Sequence, residues 1–129
     1  MKGYFDGASR GNPGEAGAGA LLIEDDGTVV WEKALYLGKK TNNEAEYNAA
    51  IMLLTEAAER GLTELAVYGD SKLVVSQLSG QWKINLPHLR ELAKKAWDIT
   101  KGMKVSYSWI PREKNKKADE LSNRGIDEK

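Results

Sequence analysis

Four carboxylates, Asp6, Glu46, Asp70 and Asp119, are the residues from which a reaction could be built. The chain carries one histidine, His88, and no cysteine. Thiol catalysis, cysteine zinc sites and disulfides are therefore excluded, and acid–base or metal work falls to the acids. Four hard oxygen donors without imidazole or thiolate suit Mg²⁺, with Mn²⁺ as the alternative, rather than zinc or copper. Clustered carboxylates repel one another, and divalent cations remove that repulsion. Two ions at ~3.5–4 Å would clamp the attacking and leaving oxygens of a phosphodiester in line. Spacing alone does not name the substrate. Each acid also has an ordinary reading. Asp6 could form a turn before Gly7, Asp70 could cap a helix beginning at Ser71, and Glu46 could be a solvated acid at a helix start. Asp119 could be a surface acid in a charged helix.

The elements that would bring these acids together can be read from apolar periodicity and turn residues. Lys2–Asp6 reads as a short strand running into a glycine-rich turn from Gly7 to Gly19. Residues 18–24 and 28–37 read as strands joined by the hairpin dipeptide Asp26-Gly27. Thr41-Asn42-Asn43 offers N-cap chemistry for a helix over about 43–60, closed at Gly61. A strand at 65–69 ends at Asp70, and a small helix covers 71–79. A further helix fits 86–101, with Pro87 in its first turn, and Asn85 could be its cap. A strand follows at 105–110 and a last helix at about 115–124. This order, βββ-α-β-α-α-β-α, predicts an α/β fold in which one mixed sheet is covered by helices. Ligands gather at the carboxyl ends of parallel strands in such sheets, where Asp6 and Asp70 fall.

Helical geometry separates the acids further. Ala50, Leu53, Leu54 and Ala57 form a stripe that must face the sheet, and Glu46 continues it one turn earlier. Glu44 lies roughly 200° away at ~100° per residue and is expected to face water. A carboxylate on a core-facing stripe is costly unless paired or bound to a cation. In the last helix Ala118, Leu121, Ser122 and Gly125 form the buried stripe, bordered by Asp119, with Glu120 on the wet side.

The chain's 129 residues amount to one domain, spanning 1–129, and 41% of them are hydrophobic, enough for a core. Nineteen basic residues balance nineteen acidic ones, which excludes a blanket polycation. Residues 101–117 nevertheless hold Lys101, Lys104, Arg112, Lys114, Lys116 and Lys117 against Glu113 alone. Such a stretch can dock a phosphate backbone in a salt-dependent way, or simply be a solvated face. No apolar run approaches the ~18 residues of a membrane span. The N-terminus has no apolar export region, so a cytoplasmic location is expected; the protein is also expected to be a monomer.

Four blocks of residues together resemble the type 1 ribonuclease H family. They are Tyr4-Phe5-Asp6-Gly7-Ala8-Ser9-Arg10-Gly11-Asn12-Pro13-Gly14, Thr41-Asn42-Asn43-Glu44-Ala45-Glu46-Tyr47, Gly69-Asp70-Ser71 and Lys117-Ala118-Asp119-Glu120-Leu121-Ser122. They stand in the family's order and spacing across nearly the whole chain. The resemblance implies a ribonuclease H-like fold, with a five-stranded sheet of order 3-2-1-4-5. It also implies endonucleolytic cutting of the RNA strand of an RNA–DNA hybrid by two metal ions, leaving 5′-phosphate and 3′-hydroxyl ends. Double-stranded RNA is cut by some relatives and is carried over as an alternative substrate. By the same resemblance Asp6, Glu46, Asp70 and Asp119 are the catalytic and metal-binding quartet. Asp6 would bridge both ions, Glu46 and Asp70 would hold the one near the leaving oxygen, and Asp119 would help hold the one activating water.

Substrate contacts are implied in the same way. Gly7 and Asn12 would lie near RNA phosphates or 2′-hydroxyls, and Asn42 and Asn43 in the hybrid's minor groove, where the 2′-hydroxyl distinguishes RNA from DNA. Lys39, Thr41 and Asn85 would grip a DNA phosphate, and Trp82 would lie against a DNA sugar or else fill the core. Trp31, Trp97 and Trp109 are expected in the core. Two departures from better-known bacterial members stand out. Residues 81–85 run almost directly into the next helix, without a basic protrusion, and the loop Pro111–Asn115 lacks a histidine. Transposase-like or resolvase-like nucleases and a non-catalytic nucleic-acid-binding module remain the competing readings on this scaffold.

Overall fold

A computed structural model describes all 129 residues. Strands β1 (Lys2–Gly11), β2 (Gly14–Ile23) and β3 (Val29–Lys40) form an antiparallel meander. Helix α1 (Asn42–Glu59) leads into β4 (Glu64–Gly69), which pairs parallel to β1. Helices α2 (Lys72–Leu78) and α3 (Pro87–Ile99) precede β5 (Lys104–Trp109), parallel to β4. A short 3₁₀ turn at Arg112–Lys114 then delivers α4 (Lys116–Asp127). The sheet order is β3-β2-β1-β4-β5, as the family resemblance implied.

The largest departure from the sequence expectation is at Gly7–Gly19, which is strand rather than turn. β1 continues to Gly11, and β2 begins at Gly14. The glycines are there because helices lie on the strands. A Cβ at Gly7 would stand 2.2 Å from the Ala45 carbonyl carbon of α1, and one at Gly19 2.4 Å from the Ser122 nitrogen of α4. Side chains alternate across a strand, so these two contacts also place the helices. Asp6 pairs with Gly19 in the β1–β2 register, so Asp6 shares the face of α4, and Gly7 points to α1 on the other.

The core is asymmetric. The α1 face holds Phe5, Leu22, Tyr47, Leu53, Leu54, Val67, Val74 and Leu89, all essentially without exposure, whereas the α4 face has a small cluster around Leu21, Ala118 and Leu121. Within the larger core the Tyr47 hydroxyl donates to Gln77 Oε1 at 2.6 Å, tying α1 to α2.

Other boundaries shift for identifiable reasons. Thr41 caps α1 in a full capping box: its hydroxyl accepts from the Glu44 N–H at 3.2 Å, and the Glu44 carboxylate accepts from the Thr41 N–H at 2.9 Å. Glu44 is therefore half-buried, with its carboxylate near water and bonded back to its own helix end. Asp70 does not cap α2, because Ser71 does. Asn85 does not cap α3. Leu86 holds the cap position without a side-chain bond, and Pro87 sets the first turn. α4 runs past residue 124 to Asp127 because Gly125 packs against the Leu35 backbone. Trp97 and Trp109 are 40% and 50% exposed, not core; only Trp31 packs partly buried against the core. The indole N–H groups of Trp97 and Trp109 donate to the Leu78 and Asp70 carbonyls, so the rings lie across element ends with their polar edges satisfied. Trp82 is 45% exposed, which removes the core-filling reading. No helix is long and apolar enough to cross a membrane.

Candidate active site

The carboxyl ends of β1 and β4, the first turns of α1 and the start of α4 meet at a cleft of about 320 Å³. Asp6, Gly7, Arg10, Asn42, Glu46, Asp70, Arg112, Asp119 and Asn123 are among its lining residues. The parallel pairing of β1 with β4 ends at Phe5 opposite Gly69, so Asp6 and Asp70 occupy equivalent positions just beyond it. One carboxylate oxygen each from Asp6, Glu46 and Asp70 can be chosen so that all lie within 4.8 Å of one another. Asp119 lies outside that tight group but shares the cleft.

Each acid is held by a named neighbour. Glu46 Oε1 accepts the Gly7 N–H at 2.7 Å, a bond that requires α1 to ride directly on a residue without a side chain. The Ser122 hydroxyl stands 2.7 Å from Asp6 Oδ2 and 2.8 Å from the Asp119 carbonyl. Asn115 Nδ2 donates to Asp70 Oδ2 at 3.2 Å and to the Phe5 carbonyl at 2.9 Å. Asn123 Nδ2 reaches Asp119 Oδ1 at 3.4 Å, and Arg112 Nη2 stands 3.6 Å from the same oxygen. Arg112 is well exposed, so this pair adds little to stability.

The electrostatics are those of a site awaiting positive charge. Burial, followed by repulsion from Asp70 and Asp119, raises the Asp6 carboxyl to about 8 against the pull of Ser122. Burial, then repulsion from Asp6 and Asp70, pushes Glu46 well above the carboxylate range despite the Gly7 N–H. Buried carboxylates without a countercharge take up protons or cations. The donor set is all oxygen, tightly grouped and open on one side, which fits hard divalent ions. Asp6, Glu46 and Asp70 are the residues grouped closely enough to hold such an ion.

Not every expected substrate contact is gathered here. Gly7 and Asn42 line the cleft. Asn12 Oδ1 accepts the Asn42 N–H at 3.0 Å, which ties the β1–β2 turn to the start of α1 and keeps Asn12, Thr41, Asn42 and Asn43 together. Lys39 is exposed near the end of β3. Trp82 and Asn85 do not line the cleft; both are exposed on the α2–α3 connection. Sequence reading missed the supporting residues. Ser122 looked like a small member of the α4 stripe, and Asn115 looked like loop. Asn123 carried no signal, and Arg10 stood in the first family block without a role.

The chain matches the family model described as reverse transcriptase-like over residues 4–125. It is 44% identical over 126 residues to ribonuclease HI of Halobacterium salinarum, covering 97% of this chain and 63% of that protein. A crystal structure of ribonuclease H1 from that archaeon superposes with a TM-score of 0.95 at 43% identity, covering 99% of this chain and 98% of that one. The structure of LC11-RNase H1 in complex with an RNA/DNA hybrid gives a TM-score of 0.94 at 38% identity, covering 98% and 96%. Ribonuclease H of Dinoroseobacter shibae is 38% identical over 141 residues, covering 95% of this chain and 88% of that protein. With sheet order, acidic cleft and these likenesses in agreement, the chain belongs to the ribonuclease H family. It spans somewhat under two thirds of the Halobacterium protein and about a third of a mycobacterial relative called bifunctional protein Rv2228c.

Proposed function

We propose that this protein is a metal-dependent endonuclease that hydrolyses the RNA strand of RNA–DNA hybrids, leaving 5′-phosphate and 3′-hydroxyl ends. The observation that carries the reading is the grouping of Asp6, Glu46 and Asp70 at adjoining strand and helix ends, with Asp119 across the same cleft. Divalent ions bound there, Mg²⁺ or Mn²⁺, supply charge for the in-line displacement. The residues' own part is to fix where those ions sit. Gly7 N–H and Asn115 Nδ2 occupy one oxygen each of Glu46 and Asp70, so the free oxygens have defined directions.

Recognition of the hybrid is assigned to the turn and helix start beside the acids. Asn12, Asn42 and Asn43 present amides where a minor groove would pass, and reading the 2′-hydroxyl there selects the RNA strand. Lys39, Thr41 and Asn85 are assigned to a DNA-strand phosphate and Trp82 to a DNA sugar, from the end of β3, the start of α1 and the α2–α3 connection. The exposed lysines at 114, 116 and 117 supply phosphate attraction in place of a basic protrusion. The protein acts as a monomer, in the cytoplasm. Double-stranded RNA is the alternative substrate.

The test is cleavage of four labelled duplexes, RNA–DNA, RNA–RNA, DNA–DNA and a lone-ribonucleotide duplex, with Mg²⁺ and then Mn²⁺. Metal-dependent cutting confined mainly to the RNA of the hybrid supports the reading. Retarded migration of hybrid without cleavage under either metal overturns it in favour of a binding module.

A further inference from the structure

Asn115 occupies the N-cap position of α4, yet its side chain makes no capping bond there. It is 2% exposed and turned inward instead. Its Nδ2 donates to the Phe5 carbonyl at 2.9 Å and to Asp70 Oδ2 at 3.2 Å. The first bond reaches the residue before Asp6, the second an acid of the metal-binding group, and the residue itself begins the helix that carries Asp119. One amide therefore touches all three of the elements that deliver Asp6, Asp70 and Asp119.

The bond to Asp70 is made at a cost. Asn115 Oδ1 is buried without any hydrogen-bond partner, and a buried acceptor without a donor is destabilising. An asparagine chosen only to start α4 would bond the helix N–H groups and leave neither atom orphaned. Both groups facing Nδ2 are acceptors, so the amide cannot be turned to satisfy Oδ1 without breaking them. The arrangement is explained by what Nδ2 holds rather than by helix stability.

We propose that Asn115 is a positioning residue of the metal site: its amide fixes the Asp70 carboxylate and keeps the ends of β1 and β4 in register with the start of α4. This rests on the proposed metal-dependent cleavage, and it names a residue that supports ligands without being one. Partners that orient metal ligands commonly matter by ~10–100-fold in metal affinity or activity. The same order is expected here, because losing the amide frees Asp70 to rotate away from the ion.

The experiment compares wild type with Asn115→Ser, Asn115→Asp and Leu65→Ala. Serine is a favoured N-cap but too short to reach Asp70, so it retains or improves the helix start while removing the positioning bond. Aspartate keeps the shape and loses the donor. Leu65, buried near the far end of β4, controls for lost stability alone. Mn²⁺ binding is measured by titration calorimetry without nucleic acid, then kcat and KM on hybrid at saturating metal, then the melting temperature. For Asn115→Ser the expected result is Mn²⁺ affinity and kcat each lowered by roughly tenfold or more, with KM for hybrid within about twofold. Leu65→Ala should lower the melting temperature only. Asn115→Ser that binds Mn²⁺ and turns over as wild type does would overturn the proposal, whatever its melting temperature. Should the serine variant fail to fold, Asn115→Asp with normal Mn²⁺ affinity overturns it equally. If wild type binds Mn²⁺ and cuts no hybrid, the proposed substrate falls, and the calorimetric comparison still decides the role of Asn115.

Discussion

Two glutamates two residues apart in α1 do different work. Glu46 is buried, bonded by the Gly7 N–H and grouped with Asp6 and Asp70. Glu44 closes a capping box with Thr41. Replacing Glu46 by Gln, Asp6 by Asn or Asp70 by Asn should each lower kcat at least ~100-fold with the circular dichroism spectrum unchanged, because each removes a charged ligand that sets ion position. Glu44→Gln should be nearly silent in activity and stability, since Gln also completes a capping box. Glu44→Ala should cost about 0.5–1 kcal/mol in denaturant unfolding, with kcat retained. A dead Glu44→Gln beside an active Glu46→Gln would reverse the assignment. At this scale the sequence was legible where a residue type contradicts its position. A carboxylate on an apolar stripe betrayed Glu46, but Glu44's return to its own helix end was not foreseen. Asn115 and Ser122 were illegible for the opposite reason: a polar residue before a helix and a small one on its buried face look ordinary.

Elements were legible wherever periodicity and turn chemistry agreed, as at the Asp26-Gly27 hairpin and in α1. They were misread where glycine serves packing rather than turning. Gly7, Gly17 and Gly19 suggested a loop, but the strands need them because α1 and α4 lie against the backbone. That reason is tertiary and leaves no local mark. Gly7→Ala tests it. The added methyl would stand 2.2–2.4 Å from the Ala45 and Glu46 backbone, so α1 must lift from β1. The expected loss is several kcal/mol, toward the upper end for overpacking at about 3 kcal/mol. Activity should fall further than stability explains, because Glu46 moves with the helix; a variant as stable and active as wild type would refute the close-packing account. Lys114, Lys116 and Lys117 are exposed, and only Lys117 has an ionic partner, Glu32 at 3.5 Å. Changing all three to Gln should raise KM for hybrid and flatten its salt dependence, because each lost phosphate contact removes about 0.9 from the log–log slope expected on B-form DNA. Stability should shift by less than ~0.5 kcal/mol per site. An unchanged salt slope would make the stretch a solvated face.

The whole molecule couples folding to the charge of its cleft. Asp6 titrates near 8 in the fold, raised chiefly by burial, whereas an aspartate in the unfolded chain titrates near 3.9. Between those values the folded state binds more protons than the unfolded one, so stability falls as pH rises. Glu46, raised in the same direction by burial, steepens the fall. Without divalent metal the denaturation midpoint should therefore decline from about pH 5 toward pH 8. Below about pH 4 both states are protonated, and the two groups no longer contribute to the slope. Mg²⁺ or Mn²⁺ binds the ionised carboxylates, so added metal should stabilise strongly at pH 8 and little at pH 5. The check is a grid of chemical denaturation curves at several pH values, each with EDTA and with saturating Mg²⁺. Asp6→Asn should flatten both dependences together, since it removes the shifted proton site and a ligand at once. It should also raise metal-free stability at pH 8, because the buried negative charge that opposes folding is gone. A metal-free protein whose stability is flat from pH 5 to 8, or an Asp6→Asn variant less stable than wild type at pH 8, would show that water and cleft opening already relieve the acids. The cleft would then be better described as a solvated surface than as a site held open for ions.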